Sequence, residues 1–431
     1  MLSVFAGNAA AVVLMGCGVF LTVRHRFFIV RRAGHIWRGT AGVLLQKDRH
    51  SQSGISPFQA VTTALAGTMG VGNIAGVATA LVAGGAGSIF WMWVSALFGM
   101  STKYAEIHLA VRYRQKKQGR YFGGPMYYIR DGVGSGGLAA VYAVLCVASS
   151  FGIGNLAQSN AVAQAMSSAF SAPHLASGLL VALAVGLVIF GGIRRIARVT
   201  ELMIPFISVL YACFSGVFLY HRRAVVPQAL ALIVAEAFTL RSALGGTAGY
   251  GIAAALRIGL ARGVFTNEAG LGSASIAHAA ADCESPAQQA AWGVFEVFLD
   301  TIVVCTITAL VLLCAQGGVL WRSGTDGAAL TATAFESGFP GLGEKFIALA
   351  IAVYAVAAML GWCYYGEQAL AYLEQGKNAV LAYRALFLLC CVLGAVGSLE
   401  VVWRLCDLQN ALLAAPNVIA LVVLAGEVKP P

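Results

Sequence analysis

The sequence predicts an all-α polytopic membrane protein, and three observations support this fold class. The 431 residues are 59% hydrophobic and only 11% charged, which is about half the charged fraction of an ordinary soluble domain. The mean hydropathy is +0.79. Apolar stretches of about 20 residues, the length that crosses a bilayer as a helix, recur along nearly the whole chain. We therefore predict one integrated transmembrane domain, residues 1–431, surrounded by lipid.

About eleven transmembrane helices are predicted from these stretches. The first one lacks a leading positive segment and a small-residue cleavage site, so it is interpreted as a retained additional helix and not as a signal peptide. The predicted spans are residues 3–23, 58–82, 88–111, 138–169, 175–192, 201–220, 227–262 (interrupted), 290–315, 342–374, 379–397 and 400–426.

The net charge of +10 comes largely from Lys and Arg residues in the loops that follow the first, third and fifth spans. Short loops rich in Lys and Arg stay on the cytoplasmic side of a membrane. The N-terminus is therefore predicted outside the cell and the C-terminus in the cytoplasm, with the chain in the inner membrane. This placement of charge argues against nucleic acid as a partner, and the sequence indicates no obligate protein partner.

Two predicted spans carry clusters of glycine near their centres. The second span contains GTMGVGNIAG, residues 67–76, and the seventh contains GGTAGYG, residues 245–251. Glycine clusters at corresponding places in two groups of five helices predict broken helices, an inverted repeat and a binding site at the midplane. The two repeats are predicted at residues 58–220 and 227–426. The alternative is close helix packing through small residues.

Several blocks of sequence, taken together and in order, identify a family resemblance. The blocks include SGISPFQAVTTALAGTMGVGNIAGVATAL, FWMWVSALFGMSTKYAEIHLAVRYR, ARGVFTNEAGLGSASIAHAAA and LGWCYYGEQAL. Through them nearly the whole chain resembles the alanine or glycine:cation symporter family, a branch of the amino acid, polyamine and organocation superfamily. The resemblance implies a leucine-transporter-like fold with a 5+5 inverted repeat. It also implies symport of alanine or glycine with sodium and no cofactor besides the coupling ion.

A broken helix exposes backbone N–H groups at one half-helix end and carbonyls at the other. The substrate carboxylate is expected at the N–H groups of the first break, and the ammonium group is expected at carbonyls near Ala66 and around Ala243 to Gly246. Asn73 could instead cap its own broken turn. The substrate-binding residues predicted from the two breaks are Thr68, Gly70, Gly72, Asn73, Gly245 and Gly246.

Polar and bulky residues in other spans are further candidates for substrate contact. Asn155 and Gln158 share a face of the fourth span. Gln158 is predicted to contact the substrate and Asn155 to form a structural hydrogen bond, with the reverse assignment as the alternative. Trp362 is predicted to be a steric wall that favours small amino acids, or else a packing residue. Glu236 is a candidate ammonium or cation contact or protonatable group, unless it is solvated at the surface.

The coupling ion is left open by the sequence. Family members usually carry a Ser-Thr pair before the LGW motif that completes a sodium site, and here Ala357 and Ala358 replace it. Sodium prefers oxygen ligands, so the predicted sodium site, with carbonyls of Met69 and Gly72, is weakened. The alternatives for coupling are sodium at a rearranged site, a proton carried by Glu236 or Asp300, and uncoupled exchange. The alternative substrate is another small amino acid, such as serine or D-alanine, carried with a proton or without coupling.

Three further residues are predicted to act in coupling or gating. Asp300 lies deep in the eighth span. Asn267 and Glu268 belong to the NEAGLGSA block, which is predicted on the cytoplasmic side of the seventh span as an inner gate or a plain helix-loop junction. Lys103 and Glu106, three residues apart, are expected to neutralise each other.

Other functions are less well supported by the sequence. A channel has no need of two broken helices. An enzyme requires a nucleophile with its base, or a metal cluster, and the seven histidines show no HExxH or comparable spacing.

Overall fold

The computed structural model describes residues 2–40, 42, 54–117, 119–238, 252–318, 320–373 and 376–430. These residues are predominantly helical, and β1 (Gln115–Lys117) and β2 (Arg120–Phe122) form an antiparallel hairpin. The helices are α1 (Leu2–Arg24), α2 (Phe28–Arg31), α3 (Ala33–Gly39), α4 (Pro57–Thr68), α5 (Ala75–Gly84), α6 (Gly87–Arg112), α7 (Pro125–Tyr128), α8 (Gly136–Phe151), α9 (Ala157–Phe170), α10 (His174–Ile189), α11 (Gly192–His221), α12 (Val226–Phe238), α13 (Ile252–Asn267), α14 (Ser273–Ala279), α15 (Pro286–Val297), α16 (Thr306–Cys314), α17 (Gly327–Glu336), α18 (Gly343–Tyr372), α19 (Lys377–Val396) and α20 (Leu399–Val423).

Five continuous helices of the described residues are long and apolar enough to cross a membrane, which supports the predicted polytopic architecture. Shorter apolar helices, including α5, α10 and α12, accompany them. The outward faces carry exposed leucines such as Leu180 and Leu183 of α10, as expected of helices that face lipid. The count of eleven spans stays a prediction. The five long helices are Gly136–Phe170, Gly192–His221, Pro286–Gly318, Gly343–Tyr372 and Asn378–Val396.

The first interruption lies between α4 and α5, where the glycines predicted it. Helix α4 begins with a capping box in which Ser56 and Gln59 bond each other's backbone N–H groups, a favourable start for a helix. It ends at Thr68, because Met69 has a ψ of 88° that no helix accommodates. A single 3-10 turn, Val71–Asn73, then leads into α5.

The second interruption lies at residues 268–272, between α13 and α14. Glu268, Gly270 and Gly272 have φ angles of 52°, 101° and 78°, a left-handed conformation that glycine adopts easily. The predicted break at residues 244–251, with Gly245 and Gly246, falls outside the described residues. The structure thus places the second break in the NEAGLG segment.

The second interruption lies beside the middle of helix α6. A Cβ atom at Gly99, the middle of the 26-residue helix, would lie 3.3 Å from Ala269 Cβ and 3.6 Å from the Asn267 amide. Both interruptions are buried. The NEAGLGSA segment therefore lies in the protein interior beside the middle of α6, and its role as an inner gate or a helix-loop junction on the cytoplasmic side stays a prediction.

Two π-helical segments lie in long helices near the interruptions. Gly152–Leu156 joins α8 to α9, and Phe298–Cys305 joins α15 to α16. A π-helix widens the turn and frequently occurs at functional sites. The segments carry Asn155 and Asp300, two of the predicted site residues.

Candidate functional site

The first interruption offers backbone N–H groups to two side-chain amides. The N–H of Gly70 donates to Asn73 Oδ1 over 3.2 Å, and the N–H of Val71 donates to Gln158 Oε1 over 3.4 Å. A Cβ atom at Gly70 would lie 3.0 Å from the same Gln158 oxygen. Gly70, Asn73 and Gln158 are thus brought together at a place where backbone donors face acceptor oxygens, as a carboxylate would require.

Gly72 brings the end of α13 to the first interruption. A Cβ atom there would lie 3.7 Å from the Phe265 ring and 3.7 Å from Thr266 Oγ1. The two interruptions therefore share one region of the protein interior.

Thr68, the last residue of α4, directs its hydroxyl toward its own helix and a buried carboxylate. It donates to the carbonyls of Ala64 and Leu65 over 3.3 Å and reaches Glu296 Oε1 at 3.5 Å. Glu296 also accepts from Lys103 Nζ over 3.2 Å. The hydroxyl is thus part of a polar cluster at the α4 end of the break.

Glu296 is the centre of that cluster. Lys103 and Glu296 are 0% and 1% exposed, and His278 Nε2 lies 3.1 Å from Glu296 Oε2. The other His278 ring nitrogen lies 2.7 Å from Gln289 Nε2. The predicted pairing of Lys103 with Glu106 is wrong, because Lys103 crosses to the carboxylate on α15.

Asp300 lies between the two interruptions. Asn73 Nδ2 donates to Asp300 Oδ1 over 2.7 Å and to its carbonyl over 3.1 Å. The hydroxyl of Thr301 donates to Asp300 Oδ2 over 2.8 Å, and Asn267 Nδ2 reaches the Thr301 oxygen at 3.4 Å. Asn73 therefore caps its own turn, which is one of its two predicted roles, and also binds Asp300. Its contact with the substrate stays a prediction.

Glu106 holds the backbone of the second interruption, a role that the sequence did not reveal. Its Oε1 accepts from the N–H groups of Gly270 and Gly272, each over 2.9 Å, and from Asn417 Nδ2 over 2.7 Å. Asn417 in turn accepts from the Tyr128 hydroxyl. The sequence did place Glu106 within an apolar span. A buried carboxylate there costs free energy unless it accepts hydrogen bonds, and this was the signal that could have indicated its role.

Glu268 and Trp362 are bonded to each other. Trp362 Nε1 donates to Glu268 Oε1 over 3.1 Å, and the Ser273 hydroxyl donates to Glu268 Oε2 over 2.6 Å. Trp362 is fully buried, and a Cβ atom at Gly154 would lie 2.3 Å from Trp362 Cβ. The indole is thus packed on a π-helical segment and tied to the second interruption.

Asn155 and Glu236 point away from the first interruption. Asn155 donates to the carbonyl of Phe387 on α19 over 2.7 Å. Glu236 accepts from the N–H of Ala86 over 2.9 Å and forms an ion pair of 3.5 Å with Arg322. The structure brings neither side chain into the cluster around Gly70 and Asp300.

The residues that replace the Ser-Thr pair supply no side-chain oxygen. Ala357 and Ala358 are buried on α18, and a Cβ atom at Gly361 of that helix would lie 3.0 Å from the backbone nitrogen of Gly67. Any oxygen ligands of a sodium ion at this position would have to come from other groups, such as backbone carbonyls. The hydroxyl-lined sodium site implied by the resemblance therefore does not fit these residues. The described residues also contain no group of three His, Cys, Asp or Glu side chains that could hold a metal.

A cavity of about 470 Å³ leads to the first interruption. Val71 lies at the interruption, and the opposite walls include Gln164 and Ser168 near the end of α9 and Glu344 at the start of α18. The interruption can therefore be reached from the side of the membrane where α9 ends.

Comparison with known proteins gives a family match over nearly the whole length. The sequence profile described as the sodium:alanine symporter family matches residues 1–430. A sodium/alanine symporter of Methanococcus maripaludis is 42% identical over 429 residues, which are 98% of this chain and 93% of that protein. A probable sodium/glutamine symporter of Bacillus subtilis is 36% identical over 415 residues, 96% and 85% of the two chains.

Two solved structures resemble the fold. A sodium-coupled sialic acid symporter matches with a TM-score of 0.55 at 11% identity, over 99% of this chain and 85% of that one. A manganese transporter of Eremococcus coleocola matches with a TM-score of 0.52 at 14% identity, over 86% and 76%. These likenesses concern the fold alone, and they confirm the predicted leucine-transporter-like fold class.

Proposed function

The chain belongs to the sodium:alanine symporter family, and from this premise we propose that it carries alanine or glycine across the inner membrane. The family makes it a multi-pass, cation-coupled amino acid symporter and not an enzyme. We propose an orientation with the N-terminus outside and the C-terminus in the cytoplasm. The nearest alternative substrate is another small neutral amino acid, such as serine or D-alanine, carried with a proton or by uncoupled exchange.

The observation that carries this proposal is the pair of N–H groups at Gly70 and Val71, which face side-chain oxygens. Val71 also lines the cavity. An amino acid carboxylate presents the same acceptor oxygens and can take the place of the Gln158 amide. Gln158 is then free to turn toward the bound molecule. Thr68, Gly72 and Asn73 complete the predicted contacts from the first interruption.

The size of the substrate follows from what surrounds Gly70. Gln158 Oε1 lies only 3.0 Å from the position of a Cβ atom there, closer than ordinary van der Waals contact, and Trp362 packs on the neighbouring π-helical segment. A bulky side chain would have to displace one of these groups, whereas a methyl group or a hydrogen atom would not. This favours alanine or glycine.

Movement of the second interruption is proposed to open the site toward the cytoplasm. Asn267 bonds Thr301, and Glu268 bonds Trp362 and Ser273. The bonds to Thr301 and Trp362 join residues 267–273 to two other helices, so a change of state exchanges these bonds together. We propose that each five-helix repeat begins with an interrupted helix, which would start the second repeat at α13 and leave α12 outside it.

Uptake of radiolabelled alanine into proteoliposomes tests the proposal. The purified protein is given an inward sodium gradient, an inward proton gradient or neither, and glycine, serine, D-alanine and glutamine are added as competitors. Gradient-driven accumulation that glycine inhibits is the expected result. Failure to transport or exchange alanine or glycine, with folded protein, would overturn the substrate assignment.

A further inference from the structure

We propose that Asp300 binds the coupling cation, a monovalent ion or proton held between its carboxylate and the first interruption. This inference rests on the proposed function. It assigns the binding of the coupling cation to a single side chain. It replaces both the site at Ala357 and Ala358, which has lost its hydroxyls, and the earlier candidate Glu236, whose carboxylate already pairs with Arg322.

The charge of Asp300 is not compensated by a basic side chain. Its side chain is fully buried, and its oxygens accept from neutral donors, Asn73 and Thr301. None of the ion pairs among the described residues includes it. An ionised carboxylate in a protein interior within the membrane requires a cation or a proton, so a cation at this position has a clear energetic reason to bind.

The titratable groups around Asp300 come from several helices. Glu296 precedes it by one helical turn and is paired with Lys103 of α6. Cys305 Sγ lies 3.5 Å from Asn73 Nδ2. Tyr354 of α18 is close enough to Asp300 to interact with its charge. Lys103 is thus committed to another carboxylate, and the remaining neighbours are acidic or neutral.

The hydrogen bonds of Asp300 reach both interruptions, which is what a coupling site requires. Asn73 connects it to the turn that receives the substrate, and Thr301 connects it to Asn267 at the end of α13. Asp300 also lies in the π-helical segment Phe298–Cys305, where the wider turn changes the usual carbonyl bonding. Gain or loss of a cation therefore changes the bonding of both interruptions together.

Glu268 is the rival carboxylate, because it too accepts only from neutral donors. It lies within the second interruption, and no hydrogen bond among the described residues joins its carboxylate to the turn Val71–Asn73. Asp300 is favoured since it alone of the two touches the first interruption directly. A matched comparison of the two carboxylates separates the possibilities.

The experiment compares the wild-type protein with Asp300→Asn, Glu268→Gln and Asp131→Asn. The Asp131→Asn variant makes the same chemical change outside the membrane-spanning segments, where Arg130 hydrogen bonds hold the pKa of the Asp131 carboxyl below its usual value. Two quantities are measured: gradient-driven alanine accumulation and alanine exchange at equal concentrations on both sides. We expect Asp300→Asn to lose accumulation and keep exchange, while Asp131→Asn keeps both.

Thermal unfolding gives a readout that does not depend on transport. A ligand that binds only the folded state raises its melting temperature, so the wild-type melting temperature should rise with sodium, compared with choline, or else with proton concentration. The first result identifies sodium as the ion, and the second identifies the proton. Asp300→Asn should abolish whichever shift the wild type shows, and Asp131→Asn should retain it.

The outcomes separate the two proposals. If the wild type does not exchange alanine or glycine but its melting temperature still depends on the cation, the substrate assignment is refuted. The cation site is then tested by whether Asp300→Asn abolishes that melting shift. Gradient-driven alanine accumulation by Asp300→Asn, or an unaltered cation-dependent shift of its melting temperature, would refute the cation site. Loss of gradient-driven accumulation in Glu268→Gln alone would also refute it. If Asp300→Asn does not fold, Thr301→Val removes one donor to the carboxylate, and a several-fold change in the half-maximal cation concentration is expected; an unchanged value would contradict the inference.

Discussion

Trp362 Nε1 donates a hydrogen bond to Glu268 Oε1 over 3.1 Å, and both residues are buried. Trp362 belongs to the long helix α18, whereas Glu268 is the first residue of the second interruption. The side chain predicted to limit substrate size is therefore bonded to a side chain of the segment that we propose moves during transport. This one hydrogen bond therefore links the residue predicted to select substrate size to the segment proposed to move.

Trp362→Leu should widen the range of amino acids that are carried. Loss of the indole opens space beside Gly154, and one methylene in an apolar pocket is worth about 1–3 kcal/mol, or roughly 10–200-fold in discrimination. We expect inhibition of alanine uptake by valine to become about tenfold stronger relative to inhibition by serine. Competition curves measure this ratio. Trp37→Leu, made where the side chain is 51% exposed, should leave it unchanged; an unchanged ratio in Trp362→Leu would show that the indole only packs.

Gly154→Ala should disturb the site severely. The added Cβ atom would lie 2.3 Å from Trp362 Cβ, and forced overpacking typically costs about 1–3 kcal/mol. We expect a lower melting temperature and loss of alanine exchange. The matched change Gly216→Ala, where no atom lies within 4 Å of the added Cβ, should leave both quantities at wild-type values. Equal behaviour of the two variants would contradict the close packing.

The fold class and the first interruption could be predicted from sequence because both are local properties. Composition requires helices in lipid, and the glycines between Gly67 and Gly76 lie where the chain breaks. The second interruption could not be located in this way. Its freed N–H groups at Gly270 and Gly272 are satisfied by Glu106, more than 160 residues earlier in the chain, so nothing nearby in the sequence identifies the break.

The candidate site shows the same division between local and distant information. Polarity within apolar spans singled out Gln158 and Asp300, the glycine-rich break singled out Asn73, and the structure places the three around one turn of backbone. Spacing along α6 suggested that Lys103 pairs with Glu106, since residues three apart on a helix are neighbours. The carboxylate on α15 competes for the lysine, and helix packing, which the sequence does not specify, decides the outcome.

Glu106→Ala should destabilise the second interruption more than Glu106→Gln. Alanine leaves two buried N–H groups without their acceptor, and each unsatisfied buried group costs about 1–3 kcal/mol. Glutamine keeps one acceptor oxygen with nearly the same shape. We expect Glu106→Ala to lose transport and stability and Glu106→Gln to keep most of both, as measured by alanine exchange and thermal unfolding. Equal loss in both variants would mean that the negative charge, and not the acceptor, is required.

Lys103 and Glu296 should show strong energetic coupling. Both side chains are buried, and removing one partner of a buried ion pair typically costs about 3–5 kcal/mol because the other charge is left uncompensated. We expect Lys103→Met and Glu296→Gln to lower the free energy of unfolding by about that much each. The double variant leaves no isolated charge and should be less destabilised than the sum of the two. A double-mutant cycle from reversible unfolding in detergent measures the coupling, and strict additivity would show that His278 or Thr68, and not Lys103, stabilises the Glu296 carboxylate.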